Sequence, residues 1–195
     1  MLNKFASDVC EFLQNLPEVK SCELYGSLAA GTFDEYSDID IEIDVSGIDN
    51  GWFLTQLPAL IAKEYNVVFC DYAPSLAPEK YIITIAANTE NPFMWIDISC
   101  VATPHCDTVS KQDLMDLNNR YDHTLKLFAA NLKHYLRGDD CCEDIQKMYN
   151  RILGKNTDVY DEDQMLHSVY IWLLENAEER HEEYVSRFET YFDRI

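Results

Sequence analysis

Residues 25–45 read YGSLAAGTFDEYSDIDIEIDV, and this stretch decides the fold. Its first half ends an apolar run, Cys22-Glu23-Leu24-Tyr25, at Gly26-Ser27, after which Leu28-Ala29-Ala30 predicts a single helical turn with Ser27 as its N-cap. Such a turn presents backbone N–H groups and a hydroxyl to a phosphate, and a glycine lets the ligand approach closely. After a gap of ten residues, Asp38-Ile39-Asp40-Ile41-Glu42-Ile43-Asp44 alternates strictly. As a strand it sets every isoleucine on one face and every acid on the other. Asp38 and Asp40 then point the same way with α-carbons about 6.6 Å apart, a spacing at which two carboxylates bracket the metal ions of a two-metal site, themselves about 3.5–4 Å apart.

The pair of acids says little by itself. With 35 acidic residues in 195, an acid-x-acid pair arises by chance roughly six times. The whole string is more specific. An apolar residue, Gly26-Ser27, a gap of ten and then Ser37-Asp38-Ile39-Asp40 in a strand resembles the signature of the polymerase-beta-type nucleotidyltransferase superfamily. The wording GSLAAGTFDEYSDIDI is most similar to the antibiotic-modifying branch, the lincosamide and aminoglycoside nucleotidyltransferases. The resemblance implies transfer of an NMP group from an NTP to a hydroxyl, with Mg²⁺ held by Asp38 and Asp40, and Gly26, Ser27 and Ser37 at the nucleotide. It also implies a third carboxylate in mid-strand. Trp95-Ile96-Asp97-Ile98-Ser99 places one acid among apolar neighbours, so Asp97 is the match, as metal ligand or as general base; Asp71 is the fallback.

Outward from the signature, the periodicities predict an α+β fold. Phe5, Val9, Phe12, Leu13 and Leu16 recur at helical spacing before Pro17, and Val19 to Tyr25 reads as a strand. After the 47–51 turn, a second helix carries Phe53, Leu54, Leu57, Leu60 and Ile61 and is interrupted or kinked by Pro58. Three strands follow, 66–72, 81–86 and 93–101, which makes a mixed sheet of about five strands. Residues 1–103 are expected to form the catalytic domain and 110–195 a helical one. Ser110 opens a capping box. Leu114, Leu117, Tyr121, Leu125, Phe128, Leu132 and Tyr135 then predict one long helix to Gly138, followed by helices over 140–153 and 161–194. The second part is a helical bundle.

Charge narrows the partners. Residues 1–109 hold 17 acids, four lysines and no arginine, net −13, and the remainder is net −7. A nucleic acid, with one charge per ~1.7 Å of duplex, needs a basic face, so the expected acceptor is a small molecule, neutral or cationic, and not nucleic acid. By resemblance it sits between the two domains. Arg120, Lys126, Lys133 and Arg137 are the bases best placed to meet phosphates. Seven cysteines without a Cys-x-x-Cys pair fit reduced thiols in the cytoplasm, and no stretch reaches the ~18 apolar residues of a membrane helix. Cys100, His105 and Cys106 have metal-ligand chemistry, but the expected reading is buried or incidental thiols. Two rival readings stand beside the transferase of small molecules: an antitoxin-like adenylyltransferase that modifies a partner protein, and an inactive nucleotide-binding relative. The bundle lacks the Arg-x(4–6)-His motif of the ribonuclease partners such antitoxins modify, and intact Asp38, Asp40 and Asp97 oppose inactivity. The oligomeric state is left open by the sequence.

Overall fold

The computed structural model describes residues 2–104, 106, 108–154 and 161–192. The chain forms two compact units, one comprising 1–88 and 94–118, the other 89–93 and 119–195.

The first unit is an α+β layer built on a five-stranded mixed sheet in the order β1-β2-β5-β4-β3. The strands are β1 (Ser21–Tyr25), β2 (Ile39–Asp44), β3 (Val67–Ala73), β4 (Lys80–Ala87) and β5 (Ile96–Val101). Only β2 and β5 run parallel; the other three pairings are antiparallel. The alternation read in residues 38–44 is kept: Ile39, Ile41 and Ile43 are fully buried, while Asp40, Glu42 and Asp44 are half-buried on the other face. Ile96, Ile98 and Cys100 continue that apolar face on β5, with Ile83 and Ile85 on β4. Against it pack α1 (Leu2–Gln14) through Ala6, Val9 and Leu13, and α3 (Asn50–Ile61) through Phe53, Leu54, Leu57 and Ile61. Helix α3 continues through Pro58, where it lacks one backbone hydrogen bond, and Asp49 caps its start, accepting from Trp52 N at 2.7 Å.

Two helical expectations are corrected. The short turn after β1 is α2 (Gly26–Ala30), and its N-cap is Tyr25, not Ser27, which lies inside the turn. The long helix expected from Leu114 to Tyr135 is two: α4 (Lys111–Met115), opened by the Ser110/Asp113 capping box, and α5 (Arg120–Arg137). The break falls at Asn118-Asn119, two side chains that compete with helical hydrogen bonding. Asn118 bridges the backbone of Tyr72, accepting from its N–H at 2.7 Å and donating to its carbonyl at 2.9 Å. Asn119 caps α5 by accepting from Tyr121 N and Asp122 N. Asn119→Ala is therefore expected to cost about 1 kcal/mol of stability, read as a lower chemical-denaturation midpoint. An unchanged midpoint would show that the cap adds nothing.

The second unit contains α5, α6 (Cys142–Leu153), α7 (Glu162–Glu175), α8 (Glu179–Ser186) and α9 (Glu189–Phe192). The segment expected as one or two helices over 161–194 is thus three pieces among its described residues. Its interior is Leu125, Phe128, Leu132, Ile145, Met148, Met165, Val169, Leu173 and Phe188. The strand-connecting loop 89–93 belongs to this unit. Phe93 packs edge-on to Phe188 at 5.6 Å, Tyr184 donates to Pro92 O, and Arg187 donates to Thr89 O. At the start of α8, Glu178 N donates to His181 Nδ1, which leaves Nε2 to donate to buried Asp122 at 3.0 Å; Arg180 holds the same carboxylate.

Candidate active site

Strand register builds the site. Tyr25 pairs with Asp40, Asp40 with Asp97, Asp97 with Thr84, and Thr84 with Asp71. Residues directly opposite in a sheet share a face, so one row of polar side chains crosses all five strands on the side away from the α1/α3 core. Asp40 and Asp97, far apart in sequence, are next-door neighbours on parallel strands, whose backbones lie about 4.8 Å apart. Asp38 stands one residue before β2.

The glycine of the signature meets this row. Gly26 has φ +67°, a left-handed conformation, and its backbone lies so close to Asp40 that a methyl group there would fall 1.9 Å from Oδ2. Only glycine satisfies both conditions. The turn and the carboxylate, separated by fourteen residues, thus form one surface.

Asp97 is held on both oxygens. Thr84 Oγ1 donates to Oδ1, and Trp95 Nε1 donates to Oδ2 at 3.1 Å. Tyr25 Oη lies 3.1 Å from Ser99 Oγ, one row along the same face. Burial pushes the Tyr25 phenol up, Ser99 opposes this, and the charges of Asp40 and Asp97 push it further. Lys80 reaches Glu42 Oε2 at 2.7 Å, and this hydrogen bond raises its pKa.

The structure places the other expected residues as follows. Ser27 is half-buried within α2. Ser37 is buried and turned into its own loop, its hydroxyl accepting from Asp34 N and donating to Asp34 Oδ1 at 2.8 Å. Asp71 is buried at the far end of the polar row. Cys100 is a core thiol whose pKa burial pushes up, Cys106 is exposed, and His105 lies outside the described residues. All seven cysteines are free. Among the described residues no three His, Cys, Asp or Glu side chains converge as a metal cage, and no helix is long and apolar enough to cross a membrane. Thr84, Trp95, Ser99, Glu42 and Lys80 are the residues of this face that motif reading does not single out. The i−2 alternation in Trp95-Ile96-Asp97 carries the signal for Trp95; Thr84 requires the register.

Comparison with known proteins gives one family match and several distant structural likenesses. Residues 2–87, somewhat less than half of the chain, match the nucleotidyltransferase domain family. A comparison with curated proteins finds no match. Among solved structures, the Cid1 poly(U) polymerase is 14% identical over 87% of this chain and 48% of that one, with a TM-score of 0.39. The polymerase core of TRAMP, an RNA surveillance complex, is 17% identical over 90% and 58%, with a TM-score of 0.42. The GLD-2/RNP-8 complex is 11% identical over 92% and 59%, with a TM-score of 0.33. The chain spans roughly half the length of the solved structures it matches. What the names of these proteins say of their activity is a property of those proteins, and likeness at this level carries none of it over.

Proposed function

We propose that the protein transfers an NMP group from an NTP to a hydroxyl of a small-molecule acceptor, in the manner of the lincosamide and aminoglycoside nucleotidyltransferases. The observation that carries this reading is the register pairing of Asp40 with Asp97, with Gly26 pressed against Asp40, inside a chain whose residues 2–87 match the nucleotidyltransferase domain.

The donor set fits Mg²⁺. Carboxylate oxygens are hard ligands, and Mg²⁺ is ordinarily bound by one or two carboxylates together with substrate phosphates and water rather than by a protein cage. Asp38 and Asp40 would hold it, and when bound it neutralises phosphate charge and orients the α-phosphate. The chain's own residues do the rest. The turn at Gly26-Ser27 faces the phosphates with backbone N–H groups. Asp97 accepts the proton of the acceptor hydroxyl as its oxygen bonds to the α-phosphorus and the bond to pyrophosphate breaks. The catalytic role belongs to residues 1–103 and acceptor selection to the helices of 110–195.

A small acceptor is supported by charge. The polar face carries Asp40, Asp97, Glu42 and Asp44 against Lys80, which is already bonded to Glu42, in a chain of net charge −20. A polyanionic strand meets repulsion there. The same imbalance makes nucleotide binding dependent on divalent metal: calorimetry should give ATP binding with Mg²⁺ and at least a tenfold loss with EDTA. Equal affinity in EDTA would disprove the metal-bridged site.

The acceptor is tested by incubating the protein with each α-labelled NTP, Mg²⁺ and, in separate arms, lincosamides, aminoglycosides, candidate proteins and an RNA oligonucleotide. Label on a small molecule is the expected result. Label on RNA or a protein overturns the acceptor class, and no nucleotide binding in any arm overturns the enzymatic reading.

A further inference from the structure

We propose that Thr84 and Trp95 are positioning residues for Asp97. This rests on the reading of Asp97 as the base that takes the acceptor proton. The terminal torsion of an aspartate is broad and nearly two-fold, so the plane of a carboxylate is not set by its rotamer. One hydrogen bond leaves it free to pivot. Two donors, one on each oxygen, define the plane, and here they come from different places: Thr84 from the neighbouring strand β4, where it is the register partner of Asp97, and Trp95 from two residues earlier in the chain.

Both donors are out of water. Thr84 is 1% exposed and Trp95 2%, whereas Asp97 itself is half-buried, so solvent does not compete for the hydroxyl or the indole N–H. An ionised carboxylate has about four acceptor positions, and a donor on each oxygen fixes the directions of them all, which a base needs, since a misplacement of about 1 Å can cost on the order of 10²-fold in rate. The burial also explains why a tryptophan sits here: its indole N–H needs a partner in the interior, and Asp97 Oδ2 is that partner.

The test separates position from structure. Thr84→Val removes the hydroxyl at nearly constant shape, Thr84→Ser keeps it, and Trp95→Phe removes the N–H while keeping an aromatic ring. Turnover is read as pyrophosphate release from an equimolar mixture of the four Mg-NTPs with water as the acceptor, alongside KM, thermal midpoint and calorimetric binding of Mg-ATP. The expected result is a fall in kcat of about tenfold for Thr84→Val and for Trp95→Phe, with KM and Mg-ATP affinity changed less than about twofold. Thr84→Ser recovers most of what valine loses. In an Asp97→Asn background, Thr84→Val adds no further loss, because both act through one group. Wild-type kcat in Thr84→Val and Trp95→Phe, with Asp97→Asn impaired, overturns the positioning role alone. A serine variant as impaired as the valine one also overturns it, since the hydroxyl is then not what matters. Wild-type turnover in Asp97→Asn removes the functional reading of Asp97 and this proposal with it.

Discussion

Asp40→Asn is expected to lower nucleotidyl transfer by at least about 10²–10³-fold, the magnitude seen when one preorganised charge-stabilising group is lost from a site. The substitution is nearly isosteric, so the side chain still fits against Gly26 and the β2 register with β1 and β5 is kept. What goes is a negative charge beside Asp97 and, with it, the ability to hold a cation against the phosphates. Calorimetry should therefore show weaker Mg²⁺-dependent ATP binding with the thermal midpoint close to that of the parent. Asp38→Asn should weaken binding in the same direction. Full transfer activity in Asp40→Asn would show that the polar row is not the reaction site.

Gly26→Ala is the second large effect, and Gly31→Ala is its control. Both glycines have left-handed φ, +67° and +70°, so an alanine at either position pays roughly 1–2 kcal/mol of backbone strain. Only at Gly26 does the added methyl have an occupant to displace, Asp40 Oδ2 at 1.9 Å; at Gly31 nothing lies within 4 Å. Both variants are expected to lose stability, Gly26→Ala the more because the clash adds to the backbone strain, together with a loss of transfer of about 10²-fold in Gly26→Ala alone, as for a reacting group moved by about 1 Å. Equal activity in the two would mean that the contact between turn and carboxylate has no part in the reaction.

Much of this was open to sequence reading, for a physical reason. Strand alternation has period two, so Asp38 to Asp44 declares its own face, and Gly26-Ser27 declares a turn. What joins them is register, which no local pattern encodes: that Asp40 lies opposite Asp97, or Thr84 opposite Asp97 on its other side, depends on pairing between residues 57 apart for the first and 13 for the second. The break at Asn118-Asn119 was hidden for a different reason. The apolar spacing from Leu114 to Tyr135 stays helical across it, although Leu114 is 2% exposed and packs in the sheet core while Leu117 is 61% exposed. The turn chemistry of the two asparagines, not the spacing, decided the outcome. Ser37 was similarly ambiguous, a hydroxyl beside the signature that the Asp34 turn uses for itself.

The loop 89–93 has a consequence for synthesis. Its partners Tyr184 and Arg187 follow it by 92 and 98 residues, so on a ribosome adding about 5–20 residues per second, where domains fold from the N-terminus first, roughly 5–20 s separate the emergence of the loop from that of the residues that complete its unit. During that interval β4 and β5 can pair, but Phe93 between them waits without Phe188. The nascent chain thus carries an aromatic at the β4–β5 connection without its Phe188 partner until the segment around α8 emerges, which makes these five residues a site open to chaperones or to aggregation during synthesis.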